Sequence, residues 1–156
     1  MSLISSISGI RGTIGGKVGE NLTPIDIVKY VSAFITLLKE NEPNKTLRIV
    51  VGRDARISGE MVSSIVCGTI QSMGADVIDV GLSTTPTVEM SVVSHKADGG
   101  IIITASHNPM QWNALKLLRS NGEFVSGADG VRIQQWVKQA NITYAEAKKL
   151  AHYRFY

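Results

Sequence analysis

The hydrophobic positions of the chain fall into two patterns that alternate along its length. Four stretches are predicted to form helices with apolar residues on one side: residues 24–38, 59–73, 86–95 and 128–139. Four short apolar runs are predicted to form strands: residues 47–51, 77–80, 100–104 and 114–118. The run at 100–104 is the most apolar of these, which is typical of a central strand buried on both faces.

Strands that alternate with helices in this way favour an α/β fold. We expect a three-layer α/β/α sandwich with a mainly parallel mixed sheet, because helices that connect parallel strands cover both faces of the sheet. Ligands of such sheets bind at loops beyond the carboxyl ends of the strands. The loops at 52–59, 81–85 and 105–113 are therefore the places where a site is expected.

The two ends of the chain depart from this alternation. Glycines are dense between residues 5 and 19, which favours turns and a close approach of the backbone to another group. Residues 141–156 are expected to form a helix capped by Thr143, with Glu146 three positions later. We therefore assign residues 1–140 to one α/β/α domain and residues 141–156 to a C-terminal helix at the start of a linker to an absent second domain.

Composition narrows the class of protein. Hydrophobic residues make up 44% and charged residues 19% of the 156 residues, a balance that is typical of a globular chain. The net charge of +3 is too small to indicate a nucleic-acid partner. No apolar run approaches the length of a membrane span and no signal-peptide pattern opens the chain, so we expect a cytoplasmic protein without a membrane partner.

The single cysteine, Cys67, cannot form an internal disulfide. Its position in an apolar helical stretch predicts a small core residue rather than a nucleophile. The sequence also contains no metal-ligand cluster, no Walker loop and no G-x-G-x-x-G after a strand. Nucleotide binding through either glycine-rich motif is therefore not expected.

The segment Thr104-Ala105-Ser106-His107-Asn108-Pro109 directly follows the most apolar strand. Ser106 is expected where the chain leaves the sheet, exposed at its carboxyl edge, where a hydroxyl can act as a nucleophile or carry a phosphoryl group. Alternatively, the same residues could form a polar loop with a turn at Asn108-Pro109 and have no catalytic or phosphate-carrying role.

His107 next to Ser106 raises the alternative of a serine hydrolase. A triad needs the imidazole to reach the hydroxyl and a carboxylate to orient it, whereas neighbouring side chains usually diverge, and no G-x-S-x-G elbow is present. We interpret His107 as a loop residue that donates a hydrogen bond to an anion, with a structural histidine as the alternative.

Basic residues mark three further positions. In the segment 52–59, which follows another strand, Arg53 and Arg56 flank Asp54; this pattern fits either a phosphate-binding loop or a capped loop with an internal ion pair. Arg11 stands between glycines, where a ligand can approach closely, although a surface turn has the same pattern. Lys116 lies within an apolar strand and is expected at an edge or facing a site.

Taken together and in this order, these segments resemble the α-D-phosphohexomutase superfamily, which includes phosphoglucomutase, phosphomannomutase and phosphoglucosamine mutase. The resemblance spans roughly residues 4 to 140, close to the whole chain, and fits the first domain of such enzymes. The matching pieces are residues 8–12, 52–59, 81–86 and 104–109, with Asn113 and Lys116.

The resemblance implies a role for each matching residue. Ser106 corresponds to the serine that is phosphorylated in the active enzyme, and its phosphate supplies one ligand to a magnesium ion. Lys116 and Arg11 correspond to basic groups near the transferred phosphoryl group, with acid–base or charge-stabilising roles. His107 and Asn108 correspond to the neighbours of that serine in the active-site loop, His107 as a catalytic and Asn108 as a phosphate-binding residue. Arg53 has a supporting, phosphate-binding role near that loop.

The same resemblance implies a reaction that moves a phosphoryl group between O1 and O6 of a hexose through a bisphosphate intermediate. The partners would be a hexose phosphate (of glucose, mannose or glucosamine) and the remaining domains of the same enzyme. Those domains would hold the other Mg²⁺ ligands, so we expect the 156 residues alone to be inactive. A stand-alone module that only binds sugar phosphates is the alternative.

Overall fold

A single seven-stranded sheet forms the centre of the computed structural model, which describes all of residues 1–156. The strands are β1 (Ile4–Ser6), β2 (Gly9–Thr13), β3 (Arg48–Arg53), β4 (Asp76–Leu82), β5 (Gly99–Ile103), β6 (Trp112–Arg119) and β7 (Tyr153–Phe155). The helices are α1 (Pro24–Asn41), α2 (Gly59–Ser72), α3 (Thr85–Ser94) and α4 (Gly127–Gln139). The predicted strands and the four predicted helices are all present.

The strand order across the sheet is β1-β2-β6-β5-β3-β4-β7. β5, β3, β4 and β7 pair in parallel, whereas β6 is antiparallel to both of its neighbours and β1 is antiparallel to β2. All strands except β1 and β6 therefore point in one direction. This arrangement confirms the prediction of an α/β fold with a mainly parallel mixed sheet.

Helices cover both faces of the sheet, as the side-chain alternation of β5 illustrates. Ile101 and Ile103 belong to a cluster of 24 buried residues that also holds the apolar faces of α1 and α2. Ile102 points the other way and packs in a cluster of seven with Val88 and Val92 of α3. Because successive strand residues face opposite sides, one apolar strand joins both cores, which confirms the three-layer sandwich.

Three helices begin at side chains that the local sequence supplies. Thr23 caps α1 and forms a capping box with Asp26. Thr84 caps α3, and Ser126 caps α4 by accepting a hydrogen bond from the backbone N–H of Asp129 at 3.1 Å. No helix is both long enough and apolar enough to span a membrane.

The glycine-rich N-terminal segment forms two strands, β1 and β2, where only turns were predicted. The predicted close approach of the backbone is present, and it is to the chain itself. A Cβ atom at Gly9 would lie 1.9 Å from the carbonyl oxygen of Leu115, so only glycine lets β2 pair with β6 at this point.

The helix predicted for residues 141–156 is wrong. The segment contains only a 3-10 turn at Ala147–Lys149, followed by β7 at the edge of the sheet. The open edge of β4 outweighs the local capping signal, since the backbone N–H groups of Val77 and Tyr156 donate 2.8 Å bonds to His152 O and Asp79 O. The assignment of this segment to a linker stays a prediction.

Candidate active site

Ser106 lies in the loop after β5, at the carboxyl end of that strand. Residues 104–111 are called the Ser106 loop below. Ser106 is exposed, as predicted, and its φ of +53° is in the left-handed region that residues other than glycine seldom adopt. The hydroxyl is therefore presented at the edge of the sheet where α/β proteins bind ligands.

Lys116 reaches the Ser106 hydroxyl from the adjacent strand. β6 runs antiparallel to β5, and this reversal carries Lys116, ten residues further along the chain, back to the carboxyl end of β5. The half-buried lysine donates a hydrogen bond from Nζ to Ser106 Oγ at 2.9 Å. An ammonium at this distance can stabilise negative charge on Oγ or exchange a proton with it.

Arg11 adds a second cation on the same face of the sheet. β2 pairs with β6 so that Arg11 stands opposite Ala114 and Gly9 stands opposite Lys116. Residues two apart on one strand share a face, so the Arg11 and Lys116 side chains project to the same side. With Ser8, both residues line a cavity of about 310 Å³ that is formed by residues of β1, β2 and β6.

Arg56 holds the Ser106 loop, a role that the sequence motif left undecided. Its Nη2 donates to Ser106 O at 2.9 Å and Asn108 O at 2.7 Å, and its Nη1 donates to Pro109 O at 2.8 Å and Trp112 O at 3.0 Å. The sequence shows that Arg56 follows β3. Its contact with the Ser106 loop could be predicted only from the strand order, which places β3 beside β5.

Asp54 and Thr104 connect Arg56 to the other side of Ser106. Thr104 Oγ1 donates to Asp54 Oδ2 at 2.6 Å and accepts from the Ser106 backbone N–H at 3.1 Å. Asp54 Oδ1 accepts from the Arg56 backbone N–H at 3.1 Å, and Asp54 Oδ2 lies 3.5 Å from Arg56 Nε. Asp54, Thr104 and Arg56 therefore form one network, which joins the loop at residues 52–59 to the Ser106 loop.

The remaining predicted site residues are not equally close to Ser106. His107 is exposed and forms no hydrogen bond with the Ser106 hydroxyl, whose partner is Lys116. Asn108 lies within the loop, where its backbone N–H donates to Ala105 O at 3.0 Å. The Arg53 side chain makes no hydrogen bond to the loop; its Nη1 donates to Asp54 O at 3.3 Å, and it lines a different cavity, between α2 and β7.

The charges around Ser106 are mostly positive, from Lys116, Arg11 and Arg56. Asp54 is a nearby carboxylate, but Thr104 and Arg56 already occupy its oxygens. No group of three or more His, Cys, Asp or Glu side chains converges to hold a metal. The site therefore suits a phosphate group, whereas these residues alone do not fit a Mg²⁺ site, which takes oxygen ligands.

Cys67 is buried in the larger core cluster, as predicted. Burial raises the pKa of its thiol to about 12, with a further contribution from the charge of Asp79. The thiol is therefore protonated near neutral pH and is not a nucleophile.

Similarity to known proteins agrees with the fold. Residues 4–143 match the family described as phosphoglucomutase/phosphomannomutase, alpha/beta/alpha domain I. A phosphoglucomutase/phosphomannomutase of Thermococcus kodakarensis is 46% identical over 113 residues, which are 71% of this chain and 25% of that protein. A phosphomannomutase of Klebsiella pneumoniae is 37% identical over 128 residues, which are 82% of this chain and 78% of that protein.

Solved structures show the same fold over the full chain. A structure from Thermus thermophilus superposes with a TM-score of 0.80 at 26% identity and covers 100% of this chain and 34% of its own. A phosphoglucomutase/phosphomannomutase family protein from Burkholderia thailandensis gives 0.77 at 24% identity. The chain thus spans about a quarter of the Thermococcus relative and a third of these structures. As the sequence resemblance predicted, the chain belongs to the phosphoglucomutase/phosphomannomutase family and corresponds to its α/β/α domain I.

Proposed function

We propose that this chain is the phosphoryl-carrying domain of a phosphohexomutase, which interconverts hexose 1-phosphates and 6-phosphates. Ser106 would carry the phosphoryl group, give it to a hexose monophosphate and receive one back from the bisphosphate intermediate. The hydrogen bond from Lys116 Nζ to Ser106 Oγ supports this proposal most directly, because it places a cation on the oxygen that would gain and lose the phosphoryl group.

Each group near Ser106 would have a defined part in the transfer. The bond between phosphorus and Ser106 Oγ breaks while a bond forms between phosphorus and a sugar hydroxyl oxygen, which loses its proton. Lys116 would stabilise the charge that develops on Oγ and supply the proton that restores the serine hydroxyl, and the proton released by the sugar hydroxyl would in turn reprotonate its amine. Arg11 would hold oxygens of the transferring group, and His107 and Asn108 would border it.

A Mg²⁺ ion is part of the proposal, with the phosphate on Ser106 as one ligand. This chain offers no carboxylate cluster for the other ligands, so they would come from other domains of the enzyme. When bound, the ion would neutralise charge on the phosphoryl oxygens. None of the steps ascribed to Lys116 and Arg11 depends on it.

The identity of the sugar would be decided outside these 156 residues. The groups around Ser106 are cations suited to phosphate, and family members similar to this chain are named for glucose, mannose and glucosamine phosphates. We therefore expect the isolated chain to show little or no mutase turnover. Turnover comparable to that of a full-length family member would contradict this expectation.

Intact-mass measurements test the phosphoryl-carrier role. Joined to the remaining domains of a phosphohexomutase, which would supply the other Mg²⁺ ligands, the chain should gain one phosphoryl group from glucose 1,6-bisphosphate that a phosphatase removes, and Ser106→Ala should gain none. Lys116→Met should slow the gain by about 100-fold, because the charge on Oγ loses its partner. Lys116→Arg should slow it less, and Lys29→Met, on the exposed side of α1, should not slow it.

Two other outcomes would contradict the proposal. Labelling of Ser106 by a fluorophosphonate would indicate a serine hydrolase instead. Binding of a hexose phosphate by a protein that never accepts a phosphoryl group would indicate a stand-alone binding module.

A further inference from the structure

The backbone of Ser106 has a conformation that its own sequence does not explain. Lys96, Ser106 and Ala140 are the three residues other than glycine with positive φ. Lys96 and Ala140 end α3 and α4, where a left-handed residue is the ordinary way to stop a helix. Ser106 instead lies beyond the end of β5, at the second position of a turn in which the Asn108 N–H donates to Ala105 O at 3.0 Å. Positive φ at this position of a turn is usual for glycine, asparagine or aspartate and not for serine, so we expect tertiary contacts to hold it.

Contacts hold Ser106 on both sides of its Cα atom. On the amino side, its N–H donates to Thr104 Oγ1, which in turn donates to Asp54. On the carboxyl side, its carbonyl accepts from Arg56 Nη2, and Arg56 also lies against Asp54. Asp54, Arg56 and Thr104 are called the Ser106 frame.

The hydrogen bonds of Arg56 show whether it binds a phosphate or positions the Ser106 loop. A guanidinium has five N–H donors. The Arg56 Nη atoms make four hydrogen bonds to carbonyls of residues 106–112, and Nε faces Asp54 at 3.5 Å. The Arg56 side chain is only 12% exposed. The Nη donors are thus engaged, and the remaining Nε–H makes no hydrogen bond but is buried. Arg56 therefore has no accessible donor for a phosphate, although an arginine in such a loop is often a phosphate ligand.

We infer that the Ser106 frame holds Ser106 in its left-handed conformation and thereby aims Oγ at Lys116. Asp54, Arg56 and Thr104 are positioning residues and not ligands of the phosphate. The effect on phosphoryl transfer rests on the function proposed above, whereas the effect on the loop does not. Arg53, in the same motif, donates to the Asp54 carbonyl but to no carbonyl of the Ser106 loop, and is a matched control for the bonds from Arg56 to that loop.

Solvent exchange of backbone amides, measured by NMR, tests the frame without any substrate. Arg56→Lys should speed the exchange of the Ser106 and Asn108 amides at least about tenfold, because one ammonium cannot replace hydrogen bonds to several carbonyls. Arg53→Lys should leave both within about twofold of the wild type. Unchanged exchange in a folded Arg56→Lys protein would overturn the inference.

A second pair of variants covers the case in which Arg56→Lys does not fold. Thr104→Val keeps the shape of the side chain but removes the hydroxyl, and it should speed exchange of the Ser106 amide at least about tenfold. Thr104→Ser restores the hydroxyl and should return the exchange close to the wild-type rate. Equal exchange in the two variants would overturn the role of Thr104 and with it the frame.

Phosphorylation kinetics separate positioning from phosphate binding. Arg56→Lys should lower the maximal rate at which glucose 1,6-bisphosphate phosphorylates Ser106 and leave the half-saturating concentration unchanged. A retained maximal rate with a half-saturating concentration raised about tenfold or more would make Arg56 a phosphate ligand and overturn the inference. If wild-type Ser106 accepts no phosphoryl group, the proposed function fails, and the amide exchange still decides the frame.

Discussion

At the scale of single residues, some side chains of the site bind the backbone of the Ser106 loop and others face the place where a ligand would bind. Lys116 acts on the Ser106 hydroxyl, whereas Arg56 and Thr104 act on its carbonyl and amide. A left-handed serine is costly because its Cβ crowds the backbone, and glycine avoids that cost. The left-handed conformation that positions the Ser106 hydroxyl therefore lowers the stability of the folded protein.

Substitutions at Ser106 should reveal this loss of stability. Ser106→Gly is expected to be more stable than Ser106→Ala by about 1 kcal/mol in the free energy of unfolding, although glycine normally destabilises a chain relative to alanine. Urea denaturation of the two variants measures the difference. An alanine variant as stable as the glycine variant would mean that φ at position 106 is negative.

At the scale of elements, glycines decide where strands come together. Gly9 lets β2 approach Leu115 on β6, and that pairing places Arg11 and Lys116 on one face. Gly68, on α2, has open space where a Cβ would be. Substitution of glycine by alanine is therefore expected to have opposite effects on stability at the two positions.

Gly9→Ala should destabilise the protein by about 3 kcal/mol, because the new Cβ meets a backbone carbonyl that cannot move away cheaply. Gly68→Ala should stabilise it by about 0.5–1 kcal/mol, because alanine favours the helix and meets no neighbour. Thermal or urea unfolding compares them. Equal effects of the two substitutions would contradict the close approach at Gly9.

Tyr153 on β7 makes the stability of the sheet edge depend on pH. Its hydroxyl donates to Asp79 Oδ2 at 2.6 Å, and that hydrogen bond, together with burial and the charge of Asp79, raises the pKa of Tyr153 to about 12. Since folding raises this pKa, the contribution is complete below about pH 10 and is lost as the pH rises through about 12.

Tyr153→Phe should lower the free energy of unfolding by about 1 kcal/mol at neutral pH, because Asp79 loses a hydrogen-bond donor. The difference between the variant and the wild type should shrink as the pH rises above about 10. Tyr156→Phe, at an exposed ring, is the control and should be nearly neutral. A constant difference across this pH range would rule out the Tyr153 contribution.

At the scale of the whole molecule, the two faces of the sheet are unequally supported. α1 and α2 share the cluster of 24 buried residues, whereas α3 packs on the cluster of seven through Val88 and Val92. Elements with less buried apolar surface open at lower free energy than the global transition. The α3 face is therefore expected to be the less stable side of the sandwich.

Native-state hydrogen exchange in low denaturant tests this difference. Amides of α3 should exchange through an opening at least about tenfold more populated than that of α1 amides, which should exchange only by global unfolding. Val92→Ala should increase α3 exchange further and leave that of α1 unchanged, apart from its effect on global stability. Identical exchange of the two helices in the wild type would show that the sandwich opens as one unit.

The sequence by itself determined the features that depend on near neighbours in the chain. Apolar spacing located the four main strands and the four helices. The place of Ser106 directly after an apolar strand, which is a local property, marked it as a candidate nucleophile. Its segment together with the other matching segments, in their order along the chain, resembled the family. These signals act over a few residues, through backbone sterics, capping and side-chain periodicity.

Only the tertiary structure decided the features that depend on partners far along the chain. The helix expected at the C-terminus became β7, because the edge of β4 offered hydrogen bonds that a local cap could not match. Arg56 became the holder of the Ser106 loop, about fifty residues away, only because β3 and β5 are neighbours in the sheet. Strand order depends on the free energy of the whole packed core, which no short stretch of sequence contains.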